Sequence, residues 1–297
     1  MKKFLSALCV TALSLLVYGQ DGHPSSISGN RRNFSFAWLT DVHLNSFAYA
    51  EDDLRQAVED INANPDVDFT ILSGDVTEFG DTKEFQLLEE ILKGFRKPYL
   101  LLPGNHDVNW SENGCTMFDK IFRASHFCYD WQGVRFVGCG AGPSLRMGPP
   151  HIPREEILWL DSIYNATPAA QPVIFVNHFP LNADLSNCRE VLRILKTHNT
   201  QAVLAGHLHV NRSYDADGIP GVIGRSSLRR KDPIGGYNLV SLKGDIADEA
   251  YSVTEQLTMT GINRIRQKIN AHGIPVYLCE ACGNPIQIGR ASCRERV

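Results

Sequence analysis

The sequence predicts a mixed α/β domain between residues 33 and 243. Three observations lead to this prediction. Short apolar runs recur along the stretch, helical periodicity lies between several of them, and polar residues follow five of the runs. Strands that alternate with helices are typical of α/β domains, and here they indicate a sheet that is largely parallel at first.

Seven runs are predicted as strands because each is short, apolar and rich in residues that favour a sheet. They are residues 34–39, 68–72, 99–102, 134–139, 173–176, 202–205 and 237–242. Helical spacing of apolar side chains occurs at Leu54, Val58 and Ile61, at Phe85, Leu88 and Leu92, and at Val191, Leu192 and Leu195. These three groups predict helices between the strands.

Length and composition bound the class of protein. The chain has 297 residues, is 43% hydrophobic and carries a formal net charge of −4. Such a chain can bury a full core, and its composition excludes a disordered, collagen-like or coiled-coil protein. The balanced, slightly acidic charge argues against nonspecific binding to nucleic acid.

Residues 1–19 have the pattern of a secretory signal peptide. Lys2 and Lys3 precede an apolar run from Phe4 to Tyr18, and Gly19 offers a small residue for cleavage. The run is shorter than the roughly 20 apolar residues that a membrane-spanning helix needs. We therefore expect a secreted or periplasmic protein with no stable membrane span after cleavage.

The C-terminal segments differ in character from the α/β region. Residues 244–287 combine a polar run of helical character with the pair Cys279 and Cys282, and the surrounding IADEA and CEACGNPI resemble the DksA/TraR zinc-finger family. Two thiolates cannot complete a tetrahedral zinc site, so we expect a short helical tail with half a zinc finger. Residues 288–297 match the in-frame translation of a common sequencing adapter. We expect residues 20–243 to form the main domain, residues 244–287 to derive from a fusion or a misassembly, and residues 288–297 to be an adapter-derived artefact.

Chemically active side chains follow five of the predicted strands. They are Asp41 and His43, then Asp75, then Asn105, His106 and Asp107, then His178, and finally His207 and His209. Each of these residues alone is more often a helix cap, a turn residue or a structural histidine. Five of the ten histidines nevertheless lie in these loops. Because ligands bind at the carboxyl ends of strands in open α/β sheets, we expect the loops to converge on one site.

In this order, the motifs DxH, GD, GNHD, H and GHxH resemble the calcineurin-like metallophosphoesterase superfamily over roughly residues 33–243. The resemblance implies a four-layer α/β/β/α sandwich with metal ions at the strand ends. It implies that Asp41, His43 and His209 hold one metal ion, that Asn105, His178 and His207 hold the other, and that Asp75 bridges both. Glu78 stands where purple acid phosphatases carry a metal-binding Tyr, so the match is more similar to the class III cyclic-nucleotide phosphodiesterase branch.

The chemistry of these residues agrees with a phosphoesterase. Two divalent ions bring four positive charges, while Asp41 and Asp75 supply two negative ones, and the surplus attracts phosphate. Nitrogen and oxygen ligands suit two divalent or trivalent ions of Mn, Fe, Zn, Ni or Co. The expected reaction is hydrolysis of a phosphomonoester or phosphodiester by a metal-bridging hydroxide. His106 would assist the leaving group, and Asp107 would orient its ring.

The substrate is expected to be a small phosphate ester, and the main domain is not expected to bind nucleic acid. Four residues are candidates for substrate contact, namely Arg146, His151, Asn211 and Arg212. Arg146 and His151 are explained equally well as part of a solvated connection, and Asn211 and Arg212 as residues that cap a loop. Two other functions stay open: a zinc-finger transcriptional regulator, from the C-terminal segment, and a metal-binding module without catalysis.

Overall fold

The computed structural model describes residues 33–45, 49–109, 111, 116–123, 125–141, 149–228 and 235–243, together with the backbone of four strands between residues 252 and 286. The expected signal peptide, Arg146, Cys282 and the adapter-like residues 288–297 lie outside the described residues. Among the helices that are described, none combines the length and the apolar character that crossing a bilayer requires.

The chain forms two β-sheets and the helices that pack on them. The strands are β1 (Phe34–Leu39), β2 (Phe69–Ser73), β3 (Tyr99–Leu102), β4 (His126–Trp131), β5 (Val134–Cys139), β6 (Val173–Asn177), β7 (Thr200–Ala205), β8 (Arg212–Ala216), β9 (Ile219–Ile223), β10 (Gly236–Lys243), β11 (Ser252–Met259), β12 (Ile265–Ile269), β13 (Pro275–Cys279) and β14 (Pro285–Ile286). The helices are α1 (Ala50–Ala63), α2 (Thr82–Leu92), α3 (Asn105–Asn109), α4 (Met117–Phe122), α5 (Arg154–Ala166) and α6 (Cys188–Leu195). All seven strands and all three helices that the sequence predicts are present.

Strand order explains how the strand ends come together. In the first sheet β1, β2 and β3 run parallel, and β10 pairs antiparallel with β1. In the second sheet β5, β6, β7 and β9 run parallel, with β4 and β8 as antiparallel edge strands. The parallel strands of each sheet therefore bring their carboxyl ends to one edge.

Three clusters of buried side chains divide the molecule into layers. One cluster lies between the sheets, where Phe36, Phe69 and Phe136 contact one another with ring centroids 5.1–5.3 Å apart. A second cluster joins the first sheet to α1, α2 and α4, and a third joins the second sheet to α5 and α6. Alternate residues of a strand point to opposite faces, so each parallel sheet buries both faces. The result is the expected four-layer α/β/β/α sandwich.

The tail beyond residue 243 differs from the expectation. A helical run is expected there from the sequence, whereas the structure has strands β11, β12 and β13, which extend the first sheet from β10 as an antiparallel meander. Thr- and Val-containing segments such as 252–259 favour strands over helices, and sequences with Gly and Asn separate them. The expected helix is therefore wrong for these segments, and the side chain of Cys279 lies outside the described part of the chain.

Candidate metal centre

Hydrogen bonds between loops hold the five strand ends together. After β1, the amide of Asp41 donates to the carbonyl of Gly74 (3.0 Å), and the amide of His43 donates to the carbonyl of Asp75 (2.8 Å). Between the sheets, the amide of His207 donates to the carboxylate of Asp41, with a nitrogen–oxygen distance of 3.0 Å. These contacts tie the loops after β1, β2 and β7 into one cluster, as the strand order predicts.

The predicted metal ligands form two groups within this cluster. In the first, ligand atoms of Asp41, His43 and His209 lie within 4.8 Å of one another. In the second, the same holds for Asp75, His178 and His207. We call these residues, together with Asn105, the candidate metal centre.

Asp75 lies between the two groups. Its Oδ2 is 3.1 Å from Nε2 of His178 and 3.7 Å from Nε2 of His43, although these two histidines belong to different groups. Its Oδ1 accepts a hydrogen bond from the amide of His106 at 2.8 Å. This arrangement suits a carboxylate that is shared between two metal ions.

The ring orientation of two predicted ligands is set by acceptors behind them. Nδ1 of His178 donates to the carbonyl of Ser73 at 3.0 Å, and Nδ1 of His43 donates to the carboxylate of Glu78 at 2.8 Å. With Nδ1 as the donor in each ring, Nε2 is the nitrogen that faces the carboxylates of the candidate metal centre. Such partners orient metal-binding histidines and fix their tautomer.

Five of the predicted ligands have a left-handed backbone. Positive φ angles occur at Asp41 (53°), His43 (47°), Asp75 (49°), His207 (69°) and His209 (57°). Non-glycine residues rarely adopt this conformation, and each such residue costs of order 1–3 kcal/mol. Backbone strain that is concentrated on one set of residues is typical of a functional site.

Glycines in three of the motifs make room for ligands from neighbouring loops. A Cβ atom on Gly74 would lie 2.6 Å from Nδ1 of His178, and one on Gly104 would lie 2.3 Å from Oδ1 of Asp75. A Cβ atom on Gly206 would lie 2.6 Å from Oδ2 of Asp41. The glycines of GD, GNHD and GHxH are therefore needed for close packing around the candidate metal centre.

This packing leads to a prediction for Gly74→Ala, with Gly218→Ala as its matched control. Both glycines have positive φ, at 97° and 92°, but a Cβ atom at Gly218 would meet nothing within 4 Å. We expect Gly74→Ala to lower the free energy of unfolding by about 1–3 kcal/mol more than Gly218→Ala, because only the former also overpacks the ring of His178. Urea unfolding of both variants measures the difference, and equal losses would contradict the packing argument.

The charges in the candidate metal centre are strongly coupled. Burial opposes ionisation of Asp75, but the neighbouring His178 outweighs it and lowers the pKa of Asp75 below its ordinary value. Burial alone would lower the pKa of His178, but the neighbouring Asp75 outweighs it and raises this pKa to about 9. Burial, together with His178, lowers the pKa of His207 to about 4. Around pH 7 the side chains alone therefore keep protons on both ring nitrogens of His178, whereas His207 is a neutral imidazole with a single ring proton.

A metal ion on His178 must displace one of these protons, so metal binding is expected to depend on pH. Below pH 9 the proton competes with the metal, and the affinity for an ion held by His178 should rise with pH, about tenfold per unit, between pH 6 and 9. His207, with a pKa of about 4, should contribute no such dependence in this range. Calorimetric Mn²⁺ titrations in two buffers of different ionisation enthalpy count the released protons, and no proton release at pH 7 would contradict the expectation.

Two buried polar atoms test whether the residues fit a pair of metal ions. Oδ1 of Asn105 is buried and has no hydrogen-bond partner. Nε2 of His178 is buried as well, and it forms an ion pair with Asp75 Oδ2 at 3.1 Å. A buried polar atom without a partner costs about 1–3 kcal/mol. Both atoms belong to the ligand set that the resemblance implies for the second metal ion, so the residues fit.

The structure assigns a different partner to the ring of His106 than the sequence predicts. Nδ1 of His106 donates to the backbone carbonyl of Glu78 at 2.7 Å. The carboxylate of Asp107 instead accepts hydrogen bonds from the amides of Val76, Thr77 and Gly104 and from the hydroxyl of Thr77. Asp107 therefore joins the GD loop to the GNHD loop. Its predicted role in orienting the ring of His106 is wrong, because its oxygens are directed at backbone amides.

The residues predicted to contact substrate have different surroundings in the structure. Oδ1 of Asn211 accepts hydrogen bonds from the amide of Arg225 (2.8 Å) and from Nδ2 of Asn238 (3.2 Å). This oxygen thus joins the loop after β9 to strand β10, and the substrate contact of Asn211 stays a prediction. His151 is exposed and bonds through Nδ1 to Ser186 Oγ at 2.8 Å. Arg212 is exposed at the first position of β8, and Arg146 lies outside the described residues.

Glu78 is the site residue whose role sequence reasoning missed. Its carboxylate and its carbonyl contact two histidines of the cluster. In the sequence, Glu78 stands out only as the residue in place of the metal-binding Tyr of purple acid phosphatases. The spacing in GDVTE holds a signal, because the residue three positions after Asp75 can reach back to the loop that follows β1.

Comparison with known proteins agrees with the fold and the residue cluster. The sequence pattern of the calcineurin-like phosphoesterase family matches residues 34–211, which include every residue of the candidate metal centre. The chain therefore belongs to the calcineurin-like phosphoesterase family, whose members depend on two metal ions and hydrolyse phosphoester bonds.

Curated relatives match two parts of the chain. A probable glycerophosphodiester phosphodiesterase, GpdQ, from Arcobacter nitrofigilis is 27% identical over 204 residues, which are 58% of this chain and 70% of that protein. A probable cyclic nucleotide phosphodiesterase from Moraxella catarrhalis is 24% identical over 210 residues, 61% of this chain and 73% of that protein. Protein TraR from Escherichia coli is 91% identical over 46 residues, 16% of this chain and 63% of TraR. The last match fits the zinc-finger resemblance of a short segment.

Solved structures share the fold. GAP50 of Plasmodium superposes with a TM-score of 0.53 at 12% identity, covering 77% of this chain and 85% of GAP50. A purple acid phosphatase from yellow lupin superposes with a TM-score of 0.50 at 13% identity, covering 87% of this chain and 53% of the lupin protein. At these identities the similarity establishes the architecture alone.

Proposed function

We propose that this chain is a phosphodiesterase that uses two metal ions to hydrolyse a small phosphate ester. The observation that carries the proposal is the position of Asp75, whose carboxylate lies between two groups of ligands. The names of the curated relatives favour a phosphodiester over a phosphomonoester. The class of substrate beyond that is left to experiment.

In this proposal His43, Asp41 and His209 would hold one ion, His178, His207 and Asn105 would hold the other, and Asp75 would be shared. When bound, two divalent ions supply positive charge for a phosphate group and lower the pKa of water. The protein orients the metal-binding rings, since the carboxylate of Glu78 and the carbonyl of Ser73 accept hydrogen bonds from His43 and His178. The choice among Mn, Fe, Zn, Ni and Co is open.

His106 would deliver a proton to the leaving oxygen. Its Nδ1 faces a backbone carbonyl, which can only accept, so this nitrogen keeps its proton. A proton for the leaving group would therefore come from Nε2. The T-shaped contact with the ring of His43, with centroids 4.5 Å apart, places His106 beside the candidate metal centre.

The test is an assay of the metal-free protein after addition of Mn²⁺, Zn²⁺, Fe²⁺, Co²⁺ or Ni²⁺ in turn. The substrates are bis(4-nitrophenyl) phosphate, 4-nitrophenyl phosphate, glycerophosphodiesters and 3′,5′-cyclic nucleotides. We expect metal-dependent hydrolysis that a chelator abolishes, with diesters preferred. Two bound metal ions without hydrolysis of any substrate would identify a silent metal-binding module instead.

We also propose that the protein is exported and that residues 20–243 form the catalytic domain, distinct from 244–287. The sequence pattern of residues 1–19 supports export. N-terminal sequencing of mature protein from the source organism tests it, and an intact Met1 would contradict it. Long reads of the source DNA across Gly244 test the junction, and one continuous gene with a complete second cysteine pair would contradict misassembly.

A further inference from the structure

Glu78 contacts two histidines through different parts of the same residue, namely His43 in the candidate metal centre and His106 beside it. Its Oε2 is 2.8 Å from Nδ1 of His43, and its backbone carbonyl accepts from Nδ1 of His106 at 2.7 Å. Oε2 also lies 3.7 Å from Nδ1 of His106. Ligand-type atoms of the three residues lie within 4.8 Å of one another.

The backbone around Glu78 is held in place by the loop that follows β1. The amide of Glu78 donates to the carbonyl of Leu44 at 3.0 Å, and Leu44 forms an isolated bridge with Thr77. On the other side, the amide of Phe79 donates to Glu84, whose side chain is buried and also accepts from Asn45. Glu78 therefore has a fixed backbone from which to act on both rings.

We propose that Glu78 is a positioning residue for the metal-binding and proton-donating histidines, an inference that rests on the function proposed above. Its carboxylate keeps the proton of His43 on Nδ1, so that Nε2 would offer its lone pair to a metal ion. Its carbonyl orients the ring of His106 in the same way. A single residue thereby fixes the geometry between one metal ligand and the leaving-group acid.

Mutation can distinguish the contact of the Glu78 carboxylate with His43 from the contact of its carbonyl with His106. Side-chain variants of Glu78 remove the carboxylate but leave the carbonyl, so they should act on His43 and the metal ion that it binds. Glu78→Gln keeps an oxygen that can accept from Nδ1 but loses the charge, whereas Glu78→Ala loses both. The affinity for the metal ion that His43 would bind should therefore be highest in the wild type, lower in Glu78→Gln and lowest in Glu78→Ala.

The experiment is calorimetric titration of the metal-free protein with Mn²⁺, together with ¹⁵N NMR of histidine-labelled protein. We expect Glu78→Ala to weaken one of two metal equivalents by about 10- to 100-fold and to leave the other unchanged. The NMR spectrum should show the Nδ1-protonated tautomer of His43 in the wild type and its loss in Glu78→Ala. Glu78→Asp should recover part of the affinity if a shorter carboxylate can still reach the ring.

Glu156→Gln is the matched control, because Glu156 pairs with His126 in the same way, at 2.9 Å, outside the candidate metal centre. It should leave both metal equivalents unchanged. Wild-type affinity at both equivalents in Glu78→Ala, with an unchanged His43 tautomer, would overturn the inference. If Glu78→Ala fails to fold, Glu78→Gln decides by the same measurements. A wild-type protein that binds no metal would instead contradict the proposed function.

Discussion

Asp75→Ala is expected to abolish binding of both metal ions and to reduce hydrolysis by at least about 10³-fold. The carboxylate of Asp75 lies near ligands of both groups, so its loss removes a shared ligand and a buried negative charge between them. Loss of several kcal/mol of transition-state stabilisation corresponds to a rate decrease of this size. Metal stoichiometry by elemental analysis and turnover of bis(4-nitrophenyl) phosphate measure the two effects.

Asp68→Ala is the control for Asp75→Ala. Asp68 precedes β2, whereas Asp75 follows it, and its carboxylate accepts one backbone hydrogen bond, from Ser35 at 3.1 Å. This variant should lose a similar hydrogen bond but keep two metal ions and wild-type turnover. Full activity in Asp75→Ala would show that the assigned ligand cluster is not the reaction centre.

The second large effect is expected for His106→Ala, which should lose turnover and keep both metal ions. Loss of a general acid typically decreases the rate by about 10²–10⁴-fold. The decrease should be larger for a substrate with an alkyl leaving group than for one with a 4-nitrophenyl group, because nitrophenolate leaves without a proton. Comparing kcat for the two substrates in the wild type and the variant isolates the proton donation.

His126→Ala is the control for this variant, because its side chain is exposed to a similar extent, 29% against 23% for His106. It should keep wild-type turnover on both substrates. An equal rate loss in His106→Ala for both leaving groups would contradict the acid role. Loss of a metal ion would place His106 among the ligands.

The interior of the fold could be predicted because its strands are continuous apolar runs. β1, β5 and β6 are almost wholly buried, and their sequences indicate this. Within residues 33–243, strands β4, β8 and β9 were not predicted. The first two are edge strands with mixed polarity, His126–Trp131 and Arg212–Ala216, which no clear period distinguishes from loops.

The candidate metal centre could be predicted because each motif follows a recognisable strand. The contacts that link the loops could not. Asp107 accepts hydrogen bonds from amides about thirty positions away, and Asn211 joins the loop after β9 to strand β10. Glu78 meets His43 because the loop register brings them together. Such partners depend on tertiary geometry, which no periodic pattern in the local sequence indicates.

The central claim is that one cluster of side chains holds two metal ions with Asp75 between them. Anomalous diffraction from crystals soaked in Mn²⁺ tests this claim most directly. We expect two anomalous peaks roughly 3.5–4 Å apart, one beside Asp41, His43 and His209 and the other beside His178 and His207, with Asp75 contacting both. A single peak, or two peaks that do not share Asp75, would contradict the account.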